Sequence, residues 1–174
     1  MNVFRIKTKD ICGIFLAWVL STASFNSLAL QPLNLGPLPG VGQVPEYLTD
    51  GQGQGFAGLA TFYMGQAVII YDEVWVQRMG GVGSPGFRFL RAHEYAHHAR
   101  GHALVKLNSL PQMWPVLGYQ EELDADCVAV GYLRLNNDMA AVQAGFNIYQ
   151  EILPPQDAGG RPGAVVRIKN MNKC

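Results

Sequence analysis

HEYAHHARGH, residues 93–102, holds all four histidines of a 174-residue chain. His93 and His97 are four residues apart. On an α-helix that spacing puts two side chains on one face, one turn apart. Two imidazoles so placed can grip one tetrahedral Zn²⁺. Glu94 beside the first histidine completes H-E-x-x-H, in which the glutamate serves as general base next to the metal. The competing reading is a histidine-tinged surface helix with no chemistry. Two histidines do not hold a catalytic zinc alone, so the sharper reading requires a third protein ligand from elsewhere in the chain.

The helix carrying the histidines is predicted to begin near Phe87, after the breaker MGGVGSPG at residues 79–86, and to run to about Leu107. Phe89, Leu90, Ala96, Ala103, Leu104 and Leu107 supply its buried side. Gly101 inside it costs about 1 kcal/mol relative to alanine, which predicts a bend or a close approach there. His98 points about 100° from His97 on such a helix and is expected to make a surface or structural hydrogen bond rather than ligate. His102 shares the face of His98.

A second helix is predicted from Gly118 or Tyr119 to Leu135, after the connection marked by Pro111 and Pro115. It contains QEELDADCVAV, residues 120–130, where Glu122 and Asp126 are again four apart and share a face. Asp124 lies about 160° from Asp126 around the helix, so it reads as solvated, and Glu121 reads as a surface charge. Asn136-Asn137-Asp138 closes this helix and caps a third, Met139–Ile152. The chain ends in AVVRIKNMN, expected as a short helix after the loop PPQDAGGRPG at 154–163. Tyr132, Phe146, Tyr149, Trp75 and Trp114 are expected in the core.

Upstream, LATFYM (59–64) and AVIIY (67–71) are β-prone and flank Gly65-Gln66, which reads as a hairpin with a two-residue turn. VWVQ, residues 74–77, either prolongs the second strand or begins a short helix. Residues 31–58 are rich in Pro, Gly and Gln and read as a loop-like arm draped over the domain. Ahead of it stands the layout of a secretory signal peptide. Arg5, Lys7 and Lys9 precede an apolar stretch at 11–20, then small and polar residues with Ser27 and Ala29 at the −3 and −1 positions. Ten apolar residues are too few to cross a bilayer, so cleavage is expected rather than a retained membrane anchor. The expected organisation is therefore a signal peptide at 1–29, an arm at 30–58 and a domain at 59–174.

The chain has 13 Lys plus Arg against 13 Asp plus Glu, and 49% hydrophobic residues. That is enough for a core and gives no basic surplus for nucleic acid. Once Arg5, Lys7, Lys9 and Asp10 leave with the leader, ten cations face twelve anions. Export places the protein in the periplasm or outside the cell, with peripheral envelope association compatible with it. Of three cysteines, Cys12 leaves with the leader, and Cys127 and Cys174 remain in an oxidising compartment. Both a bridge between them and two free thiols stay open.

HEYAHHARGH followed by EELDADCVAV resembles the HtpX-like and CAAX-prenyl-protease-like zinc metallopeptidases, which are gluzincins. The resemblance covers roughly residues 59–170. It implies an α+β, zincin-like metallopeptidase domain, with a small antiparallel sheet packed on the helix pair that carries H-E-x-x-H and E-x-x-x-D. It implies one zinc held by His93, His97 and Glu122, with Glu94 as catalytic base. Asp126 then accepts the other N–H of a metal-bound histidine, and His102 packs near the site or bonds to a ligand. Where similar proteins have a His-Pro turn, this chain has Arg161-Pro162. Arg161 is thus a candidate to serve the oxyanion, against the alternative of pairing with Asp157 or a helix end; Tyr132, Tyr149 and Arg167 are the other candidates. The implied activity is endopeptidase hydrolysis of exported or envelope proteins, with a polypeptide as substrate. The alternative is an exported zinc-binding module, chaperone-like or for interaction, with little turnover.

Overall fold

The computed structural model describes residues 29–40, 42–51, 53 and 56–174. The predicted leader therefore lies, apart from Ala29, outside the described residues. In chain order the described residues form β1 (Gln31–Leu33), β2 (Glu46–Thr49), β3 (Gly58–Tyr63) and β4 (Gln66–Asp72). They continue with α1 (Glu73–Arg78), α2 (Pro85–Ala99), α3 (His102–Leu107), a 3-10 turn at Pro111–Met113, α4 (Trp114–Leu135), α5 (Met139–Ile152) and α6 (Ala164–Met171). The fold is α+β: a small mixed sheet and a helical layer. Among the described residues no helix is long and apolar enough to cross a membrane.

α2 organises both layers. Ser84 caps it by accepting the Phe87 N–H at 3.1 Å, and Pro85 starts it with a φ suited to the first turn. Nearly its whole circumference is buried. Phe87, Leu90 and Tyr95 pack with Ile69, Tyr71 and Val76 beside the sheet. Phe89 and Ala92 face Val130 and Leu133 of α4, Val142 and Tyr149 of α5, and Met171 of α6. One helix is thus wedged between two apolar clusters, which sets the histidines deep in the molecule.

The sheet corrects the expected antiparallel arrangement. Its order is β1-β2-β4-β3. β3 and β4 form the predicted antiparallel hairpin. Its turn is Met64-Gly65, one residue earlier than expected, with φ of 50° and 79°, the left-handed pair that a two-residue hairpin requires. β2 runs parallel to β4, and β1 antiparallel to β2. Both come from the stretch expected to be a loop-like arm. Buried Glu46 of β2 holds this added strand in place. Its carboxylate accepts from Tyr71 Oη (2.8 Å), Tyr95 Oη (3.0 Å) and Arg91 Nη2 (2.6 Å).

The predicted long histidine helix ends at Ala99. Gly101 takes φ +71°, a left-handed conformation open to glycine, and α3 sets off in a new direction. Leu104 and Leu107, expected on the buried side, are consequently half exposed. Residues 73–78 form the helical alternative, capped by Asp72, whose carboxylate accepts from Val74 and Trp75 N–H. α4 starts four residues before the predicted Gly118. α5 has the predicted bounds, with Asp138 accepting the Ala141 N–H at 3.1 Å. Cys127 of α4 and the terminal Cys174 form a disulfide with Cα atoms 5.3 Å apart, which resolves the open cysteine reading and ties the segment after α6 back to α4.

Candidate metal centre

α2 brings His93 and His97 to the face that meets α4, and α4 presents Glu122 across the gap. One ligand atom from each of the three lies within 4.8 Å of the others. The Nε2 atoms of His93 and His97 are 3.1 Å apart. Glu122 Oε2 is 3.4 Å from His93 Nε2, and Glu122 Oε1 is 4.0 Å from His97 Nε2. A metal about 2.0–2.1 Å from each ligand in tetrahedral geometry needs ligand atoms about 3.3 Å apart. The two nitrogens and the carboxylate lie near that spacing, with the His97–Glu122 distance the longest, and the group could hold a metal ion. Among the described residues the group offers three protein ligands.

Glu94 lies beside the cluster and is 5% exposed. Its Oε2 accepts the Ala60 N–H of β3 at 2.9 Å. The carboxylate packs flat against Gly58, where an added Cβ would stand 2.5 Å from Oε1. A side chain at position 58 would therefore push the strand or the carboxylate away. Burial, against the opposing pull of His93, raises the Glu94 carboxyl to about 7.

Behind His93 stands Asp126, fully buried. Its Oδ1 is 3.0 Å from His93 Nδ1, at ion-pair distance though out of line for a good hydrogen bond. Asp126 also accepts from Tyr149 Oη (2.6 Å), Arg167 Nε (2.7 Å) and Arg167 Nη2 (2.6 Å). Arg167 Nη1 reaches Glu122 Oε2 at 3.0 Å, so one guanidinium orients both carboxylates. Burial alone would raise the Glu122 and Asp126 carboxyls. Instead both are lowered, Glu122 by His93 and Arg167, Asp126 by Arg167 and His93. Burial opposes charge on His93 too, but Asp126 and Glu122 outweigh it and hold its imidazole well above the usual range. His97 moves the other way, through burial first and the His93 charge second.

The structure brings together five of the predicted residues, His93, Glu94, His97, Glu122 and Asp126. It does not join Arg161 to them. That residue is exposed, its backbone closed in a bridge with Ala158, and no described hydrogen bond or ion pair links its side chain to the cluster. Asp157, its expected alternative partner, accepts instead from Tyr119 Oη and the Gly163 N–H. The cation at the site is Arg167, six residues on, because α6 turns its inner face to α4 while the 158–161 turn stays in solvent. His98 donates to the Val68 carbonyl at 2.8 Å, a structural bond to β4. Two acidic residues expected in solvent are engaged. Glu121 is 5% exposed with Lys106 Nζ 2.6 Å away, and Asp124 pairs with Arg100 and His102. Both depend on the turn at Gly101, which folds α3 against α4.

Compared with protein-family models, with curated proteins and with solved structures, the chain shows no match.

Proposed function

We propose that this chain is an exported zinc-dependent endopeptidase, similar to the gluzincins of the HtpX-like and CAAX-prenyl-protease-like kind, with a zincin-like domain. One observation carries the reading: a carboxylate free to act as a base, that of Glu94, sits buried beside a two-histidine, one-glutamate group that could hold a metal ion. A purely structural metal site has no use for such a base. Among the commoner metals, zinc suits two imidazoles and a carboxylate in tetrahedral array. When bound, zinc supplies Lewis acidity, polarising the scissile carbonyl and lowering the pKa of a water toward about 7.

The protein residues do the rest. Glu94 takes the proton of the attacking water and returns it to the leaving amine. The Ala60 N–H and the close face of Gly58 keep its carboxylate in place between the two transfers. Arg167 keeps Glu122 aligned and balances its charge. Among the described residues β3 is the terminal strand of the sheet, so an extended polypeptide can add to its outer edge by main-chain hydrogen bonds, apart from the Ala60 N–H that Glu94 already occupies. That mode holds a chain with little side-chain selectivity. The leader-like N-terminal sequence and the Cys127–Cys174 pair support export.

Glu94→Gln tests the proposal, since it removes the proton shuttle and little else. The variant should retain about one zinc per chain and the wild-type melting temperature, and lose hydrolysis of unfolded casein. Wild-type protein that holds zinc yet cleaves no unfolded protein or peptide library would sink the peptidase reading in favour of a zinc-binding module.

A further inference from the structure

A neutral imidazole has one N–H and one lone pair, so a histidine that ligates through Nε2 carries its proton on Nδ1 and needs an acceptor there. For His93 the group facing Nδ1 is the Asp126 carboxylate, 3.0 Å away though out of line for a good hydrogen bond. For His97 it is another histidine: Nδ1 of His102 lies 3.0 Å from Nδ1 of His97. On its far side, His102 Nε2 is 3.1 Å from Oδ2 of Asp124. Asp124 is itself held by Arg100 Nε at 2.6 Å and Nη2 at 3.2 Å.

We propose that His102 and Asp124 are positioning residues of the metal centre, a chain that fixes the tautomer and ring orientation of the ligand His97. The proposal rests on the metal reading above. With Nε2 of His97 turned to the cluster, its Nδ1 is the donor. Nδ1 of His102 must then be the bare acceptor, which leaves the single proton of that ring on Nε2. Asp124 enforces this order, because a carboxylate only accepts. The reverse order would put the His97 proton on Nε2, facing the metal position, and block ligation.

The backbone is shaped for this contact. On an unbroken helix, residues five apart point about 140° away from each other. The left-handed turn at Gly101 cancels that divergence and brings the His102 ring edge-on to His97, with centroids 5.0 Å apart. Both histidine side chains are 10% exposed, whereas the Asp124 side chain is 33% exposed. The chain thus runs from the buried cluster to the protein surface.

Zinc affinity of the full, disulfide-bonded chain, measured by chelator competition, tests this. His102→Phe keeps a ring in the space but offers no acceptor, and should weaken zinc binding by roughly 10–100-fold. His102→Gln can accept from His97 with its carbonyl and donate to Asp124 with its amide, and should restore affinity to within a few-fold of wild type. Asp124→Ala, which touches no ligand and lies near the surface, should weaken binding in the same direction by a smaller factor. The melting temperature of each metal-free variant checks that the fold is intact. Equal affinity of His102→Phe and wild type would overturn the proposal, as would a His102→Gln variant no better than His102→Phe, since shape alone would then explain the residue. A wild-type chain that binds no zinc would instead remove the metal reading, and the positioning role with it.

Discussion

His93 and His97 stand one helical turn apart on α2, yet the groups behind them are built on different principles. Behind His93, Asp126 is fully buried and Arg167 is 7% exposed. Tyr149 joins them, and the Arg167 guanidinium also lies over its ring, 4.1 Å from the centroid. Behind His97, a second histidine, His102, leads to Asp124 and then to Arg100, whose side chain is 55% exposed. The α6 side is a set of opposite charges in the buried interior. The α3 side grades into water. Removing one member of a buried ion set leaves the others without compensation, whereas solvent replaces a lost surface partner at little cost. The candidate metal centre is therefore bordered by a buried support and a partly solvated one.

The strongest way to break this contrast is Arg167→Met. It would strand Asp126 and Glu122 as buried carboxylates, and the metal-free chain should lose about 3–5 kcal/mol of stability in urea denaturation. A loss under about 1 kcal/mol would put both supports in one class. The disulfide belongs to the same side, since the segment after α6 is anchored through Cys174 to Cys127, next to Asp126. Replacing both cysteines by serine should lower stability by about 2–4 kcal/mol through the freed loop of the unfolded chain, and hydrogen exchange in α6 should rise. Unchanged exchange would mean that packing and Arg167 hold α6 without the crosslink. The smallest effect is expected from Arg100→Ala. Its pair with Asp124 is solvated, so the denaturation midpoint should not move measurably. A clear shift would show that the α3 side also relies on ion pairing and would weaken the comparison.

The parts of the site legible in the sequence are those that one helix decides by itself. H-E-x-x-H and E-x-x-x-D each place their residues by local helical geometry, whatever surrounds them. The α5 bounds were legible for a similar reason, because Asp138 both ends the preceding turn and caps the next helix. The strands of the arm were not. β1 and β2 are three and four residues long, too short for an alternating pattern to register. They are strands because β4 offers an edge and because Tyr71, Arg91 and Tyr95 gather around Glu46. Arg161 and Arg167 were both visible as candidates, but spacing along the chain does not say which of two arginines in neighbouring segments is buried.

By itself, then, the sequence determined the helix faces: which histidines pair, which carboxylates pair, and which glutamate stands beside the first histidine. Those relations follow from a repeat of 3.6 residues and hold over one turn. Only the tertiary structure decided how α2 and α4 meet, and that a short parallel strand from the arm completes the sheet. It also decided that α6 supplies the buried cation and that the chain turns at Gly101 to bring His102 between His97 and Asp124. Each of these depends on surfaces distant in sequence burying one another, and on buried charges finding the partners that make burial tolerable.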